Sequence, residues 1–207
     1  TEMPWYGKST MTVKVGEPQA FSIRFRVPDW ATGENTVMVG GEAVSATPDA
    51  NGYVVIDRVW NDGDTVELNF PMEATRVYAD ERVEAARGFT AVKRGPIVYA
   101  AEGADNDFKF NMATLPTDSE FTTEWVENLD GEPDPYGIKS VLKIKVPGKL
   151  QSLSADGFDE ITWTLIPYYS WCNREKNNMV VYIKEEPWDL DEAALELFAT
   201  PTASFTS

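Results

Sequence analysis

Apolar and polar side chains alternate along much of this chain, and that period of two constrains the fold more than any other feature. Phe21, Ile23, Phe25 and Val27 interleave with Ser22, Arg24 and Arg26. On a helix these apolar side chains would scatter around the circumference; on a strand they share one face. The stretch therefore reads as a half-buried antiparallel strand. The pattern recurs at 11–15, 37–39, 53–56 and 66–70, with turn residues between each pair. Gly40-Gly41 suits a two-residue primed turn because both positions tolerate positive φ. Asn61-Asp62-Gly63-Asp64 is a second hairpin signal, and Pro28 and Pro71 close strands where no ladder partner is needed. Short strands about ten residues apart, with this punctuation, predict a sandwich rather than a parallel sheet.

A second set of strands is expected at 89–92, 97–101, 121–124, 141–146, 161–166 and 179–183, with surface loops rich in Asp, Glu, Pro and Gly between 105 and 137. The 207 residues suit two small domains. The expected class is all-β, with two consecutive antiparallel β-sandwiches at 1–92 and 93–186. Residues 187–207 are expected to form a short helix and linker-like tail. Asp189 can cap a helix through Leu197, with Asp191 and Glu192 in its first turn. The Ser/Thr-rich end after Pro201 reads equally as a frayed terminus or as a linker to a further domain. The first residues, Thr1-Glu2-Met3-Pro4-Trp5, carry neither an initiator Met nor a signal segment, and are expected to be a cut within a longer protein or a processed start.

Composition narrows the chemistry. There are 18 basic and 34 acidic residues, a net charge of −16, and no His. Residues 1–103 carry −5 of this and residues 104–207 carry −11. Phosphate neutralisation needs clustered Lys and Arg, so neither nucleic acid nor an anionic membrane is an expected partner. No apolar run approaches the roughly 20 residues of a membrane helix. Lack of His removes the commonest general base, the Ser-His and Cys-His pairs and imidazole ligands. One Cys, Cys172, permits no intrachain disulfide. That leaves the compartment open, with a periplasmic or secreted setting favoured over the cytoplasm.

Carboxylate pairs close in sequence, such as Asp62 and Asp64 or Glu185 and Glu186, are expected by chance among 34 acids, and a glycosidase pair cannot be recognised from spacing in a β protein. Asp62-Gly63-Asp64 reads as a turn rather than a calcium loop, since the twelve-residue pattern is missing. Cys172 lacks a His to act as its base, so a packed or half-exposed structural Cys is expected. Around it, Tyr168, Tyr169 and Trp171 offer rings on which sugars stack, and Asn173 and Arg174 offer hydrogen bonds. Aromatic clusters at strand ends more often pack than bind. These five residues are candidates for carbohydrate or interdomain contact, and no catalytic, cofactor-binding or metal-binding residue is assigned.

Taken together the segments resemble a known family. Thr1-Glu2-Met3-Pro4-Trp5-Tyr6-Gly7, Ile23-Arg24-Phe25-Arg26-Val27-Pro28-Asp29-Trp30-Ala31 and Val37-Met38-Val39-Gly40-Gly41-Glu42 are followed by Gly52-Tyr53-Val54-Val55-Ile56-Asp57-Arg58-Val59-Trp60. Then come Asp62-Gly63-Asp64, Pro71-Met72, Arg87-Gly88 and Lys93-Arg94-Gly95-Pro96-Ile97-Val98-Tyr99. Last is Ile166-Pro167-Tyr168-Tyr169-Ser170-Trp171-Cys172-Asn173-Arg174, with Met179 beyond. In order and spacing these resemble the strands after the catalytic barrel in glycoside hydrolase family 127, the β-L-arabinofuranosidase group. The resemblance covers about 1–185, apart from loops between 103 and 160. It implies a parent with an (α/α)₆ barrel, whose nucleophilic Cys, acid/base Glu and zinc site lie in that barrel, followed by two sandwiches of which this chain is the pair. The expected function is then non-catalytic support of the barrel in cis, the chain itself being inactive and without cofactor. The alternative is an autonomous module binding plant-type oligosaccharides through the aromatic segment.

Overall fold

The computed structural model describes residues 1–129, 131, 140–152 and 157–187. The expected helix after Asp189 and the tail beyond it lie outside the described residues. Apart from three single helical turns, the regular structure among the described residues consists of strands. In chain order these are β1 (Lys8–Thr12), β2 (Gln19–Arg26), β3 (Thr36–Val39), β4 (Glu42–Val44), β5 (Tyr53–Trp60), β6 (Thr65–Asn69), β7 (Ala74–Val77), β8 (Phe89–Arg94), β9 (Ile97–Glu102), β10 (Ala113–Thr114), β11 (Thr122–Val126), β12 (Val141–Gln151), β13 (Phe158–Pro167), β14 (Met179–Val180) and β15 (Ile183–Lys184). The pairings β1–β6, β3–β4, β3–β6, β2–β5, β10–β12, β11–β12, β12–β13, β13–β9, β14–β9 and β15–β8 are antiparallel. The all-β sandwich class expected from the alternation is what forms.

The first unit comprises Thr1–Ala74 with Arg94–Ile97. It has a four-stranded sheet in the order β1-β6-β3-β4 and a two-stranded sheet of β2 and β5. Val13, Val37, Val39, Val54, Trp60 and Val66 form its core, with Ile23, Phe25 and Ile56 packed against them. Burial of the alternating apolar face is what fixes strand register, since a slip by one residue would turn that face to water. Gly40 and Gly41, at φ of 59° and 84°, close the β3–β4 hairpin as their pairing in sequence predicts.

The turn at Asn61–Asp64 differs from expectation. Its internal hydrogen bonds form, Asp64 N–H to Asn61 O at 3.2 Å and Asn61 N–H to Asp64 Oδ2 at 3.0 Å. Yet the strands it joins do not pair: β5 lies against β2, and β6 against β1 and β3. Turn chemistry reverses the chain locally, while burial of Trp60 and Val66 decides which sheet each arm enters.

The second unit comprises Thr75–Lys93 and the chain from Val98 onward. Its sheet runs β10-β12-β13-β9-β8-β15, with β11 also on β12, β14 on β9 and β7 on β8. Residues 75–92, grouped by sequence with the first sandwich, run in this sheet through the β7–β8 and β8–β15 pairings. The turn residues at Gly88 and Gly95-Pro96 mark strand ends there. The single strand expected at 179–183 is two short ones with different partners, β14 on β9 and β15 on β8.

Strands β12 and β13 form the long hairpin at the centre of this unit, with Val146 opposite Trp163 and Gly148 opposite Ile161. Trp163 is fully buried and its Nε1–H donates to Thr114 O at 2.9 Å. Phe108 meets its ring edge-on at 4.9 Å. The indole lies over Gly148, where a Cβ would come within 2.5 Å of Trp163 Cδ1 and 2.7 Å of Thr114 O. Gly148 therefore reads as a packing requirement, although the Pro147-Gly148 pair looks like a strand breaker in sequence. Gly148→Ala is expected to cost about 1–3 kcal/mol by overpacking, seen as a lower midpoint in urea unfolding. An unchanged midpoint would show that Trp163 does not pack there.

Candidate functional site

Strand β13 ends at Pro167, and one short helical turn, Tyr168–Ser170, starts a loop that returns as β14 beside Glu102 at the end of β9. Within the loop Cys172 adopts φ of 60°, a left-handed conformation uncommon for a residue with a Cβ. Its backbone N–H donates to Glu102 Oε1 at 2.8 Å.

Glu102 has no exposed surface and is the focus of the loop. Arg174 Nη2 donates to Glu102 Oε2 at 2.7 Å and to Asp105 Oδ2 at 2.5 Å, and Arg174 Nη1 to Asp105 Oδ1 at 3.1 Å. Lys143 Nζ on β12 donates to Asp105 Oδ1 at 2.6 Å, and Asn177 Nδ2 to Glu102 Oε1 at 2.9 Å. The guanidinium thus spans two carboxylates, bidentate on one, a geometry that Lys cannot reproduce. Two negative and two positive groups offset one another in a place where any of them alone would be costly.

Burial on its own would raise the proton affinity of Glu102. Hydrogen bonds from Arg174, Asn177 and Cys172 N–H outweigh it and hold the carboxyl below the ordinary Glu value of 4.5. Asp105 behaves alike: burial raises it, and bonds from Arg174 and Lys143 bring it below 3.8. Both carboxylates stay ionised and partnered, so their local chemistry is structural.

The five residues singled out by sequence therefore separate. Tyr168 and Tyr169 are 46% and 54% exposed, Trp171 is half-buried, and Asn173 is exposed, with a long 3.5 Å bond from Nδ2 to Tyr169 O. Arg174 belongs to the charge cluster. Cys172 is exposed rather than packed or half-exposed, and its backbone N–H makes the structural contact. Sequence reasoning missed Glu102, Asp105, Lys143 and Asn177. The available signal was Glu102 itself, a carboxylate ending the apolar run Ile97–Glu102 and needing a cation.

Comparisons with known proteins place this architecture. Residues 1–72 match the family model described as the β-L-arabinofuranosidase GH127 middle domain, and residues 74–184 match the glycoside hydrolase family 127 C-terminal domain. A non-reducing end β-L-arabinofuranosidase of Bifidobacterium longum subsp. longum is 32% identical over 195 residues, covering 88% of this chain and 29% of that protein. The crystal structure of a GH127 β-L-arabinofuranosidase from Geobacillus stearothermophilus T6 superposes with a TM-score of 0.79 at 31% identity, over 90% of this chain and 30% of that one. A further solved structure, a GH127 β-arabinofuranosidase, gives 0.78 at 29% identity, over 90% and 31%. Fold and matches together define paired β-domains of a glycoside hydrolase. The chain belongs to glycoside hydrolase family 127, and it spans about three-tenths of the length of the relatives it matches.

Arg174→Met is expected to destabilise the second unit by about 3–5 kcal/mol, because Glu102 is left buried and unpaired; equilibrium unfolding reads it directly, and a change under 1 kcal/mol would contradict the buried pair. The lowered carboxyls also set a pH dependence. Their contribution is complete above the ordinary carboxylate values and is lost as pH falls through the lower folded values, because the unfolded chain takes up protons first. Stability should therefore drop below about pH 4.5, and less steeply in Arg174→Met than in the parent sequence. Equal slopes in pH-dependent melting would contradict this.

Proposed function

We propose that these β-domains are the non-catalytic accessory region of a larger arabinofuranosidase-type glycoside hydrolase, supporting a catalytic barrel in cis. The observation that carries this is coverage: a chain that aligns over nine-tenths of itself with solved family members spans only 30–31% of them. The fate of the buried acids supports it. Glu102 and Asp105 are neutralised by Arg174 and Lys143, which leaves neither as a general acid.

The zinc site that the family resemblance implies does not fit the residues present. With no His and one Cys in the sequence, and no group of three or more candidate ligands together among the described residues, no zinc-dependent step is assigned to this chain. In this reading zinc and nucleophile belong to the barrel of the parent. Tyr168 and Tyr169, both exposed on the turn after β13, serve as contact residues for that barrel. A second reading, sugar stacking on the same two rings, is favoured by their exposure.

Assay of the 207-residue chain beside its full-length parent on aryl arabinofuranosides tests the proposal. The parent should turn over substrate and the chain alone should stay at background; turnover by the chain alone would sink it.

A further inference from the structure

The second unit carries an open cleft of about 770 Å³, lined by residues 103, 106–111, 175, 177 and 178. Its size falls in the range of small-molecule sites. One wall is the 175–178 stretch, which the Arg174 and Asn177 bonds to Glu102 hold in place. Asn178 O accepts from Gly103 N–H at 2.9 Å. Asn106 is 4% exposed and fixed on three sides, its Nδ2 donating to Glu102 O and Thr164 O and its Oδ1 accepting Thr164 N–H. Phe108 and Phe110, both half-buried against Trp163, supply apolar surface.

Against this rigid frame stand three exposed polar side chains, Asp107, Glu175 and Asn178, which make no side-chain hydrogen bond or ion pair among the described residues. Aromatic surface beside carboxylates and an amide is the chemistry that holds a neutral polyol. Carboxylates accept from pairs of hydroxyls, the amide both donates and accepts, and rings cover C–H faces. Two acids against Lys109 make the cleft anionic in a chain of charge −16, which repels a uronic or phosphorylated ligand.

We infer that this cleft binds a neutral oligosaccharide, with Glu175 and Asn178 as its principal hydrogen-bonding groups. The choice of sugar over other neutral polar ligands rests on the proposed link to a glycoside hydrolase. Binding by this chain is nevertheless measured apart from turnover by the parent, so either can fail without the other.

The test is titration of the 207-residue chain with arabinotriose, followed by backbone and side-chain amide NMR and calorimetry. Weak saturable binding is expected, with shifts at the Asn106 and Asn178 amides. Glu175→Gln and Asn178→Ala should each weaken it about fivefold or more, the loss of one hydrogen bond, with melting temperature unchanged. Glu42→Gln, an exposed change on β4 of the first unit, should leave affinity unaltered, and trigalacturonate should bind more weakly than arabinotriose. Absence of saturable binding, shifts confined to Tyr168–Ser170, or tighter binding of trigalacturonate would each overturn the inference. The amide shifts report location in the unmutated chain, so the outcome does not depend on any variant folding.

Discussion

The second unit depends on one buried interaction, Arg174 held between Glu102 and Asp105. A carboxylate with no exposed surface is tolerated only when cations and hydrogen-bond donors replace its water. For Glu102 the replacements come from distant points in sequence, Cys172 N–H, Arg174 and Asn177 on the loop after β13, while Lys143 on β12 and the same Arg174 partner Asp105. Because those groups must converge, the loop has little freedom, and the unusual φ of Cys172 is the backbone's share of that convergence. The same constraint fixes both the outward-facing tyrosines and the 175–178 wall of the cleft.

Much of the fold was legible in sequence, for an identifiable reason. Where one face of a strand is buried and the other wet, alternation records it, as in β3 and β6, and Gly40-Gly41 records the positive φ of its turn. Where both faces are partly covered, alternation fades. Strand β12 was visible over 141–146 but not through Pro147-Gly148, where the glycine makes room for Trp163. Pairing across sheets was not legible at all. The Asn61–Asp64 turn carries hairpin chemistry yet links strands of two sheets, since partner choice is settled by burial of residues elsewhere in the chain.

The site was legible only in part. A cluster of aromatic and polar residues at 168–174 marked the right loop, but sequence spacing assigned Arg174 the same outward role as its neighbours. Its partners lie 69 and 72 residues away, and no local pattern pairs a guanidinium with carboxylates at that separation. The −16 charge misled in a related way. It drew attention to solvated loops, while the acids that matter most to this unit, Glu102 and Asp105, are neutralised inside it. Family membership then adds that the chain matches about three-tenths of the length of its relatives, a relation that no residue pattern inside the chain records.

The central claim is that the Glu102–Arg174 cluster anchors the loop to the core. Amide hydrogen exchange at Cys172 and Gly103, whose N–H groups bond to Glu102 and to Asn177 and Asn178, measures it most directly. At neutral pH both amides should be protected nearly as well as those at the centre of β12 and β13, and Arg174→Met should abolish that protection while leaving the first unit's amides unchanged. Fast exchange at Cys172 in the unmutated chain, or protection that survives Arg174→Met, would contradict the account.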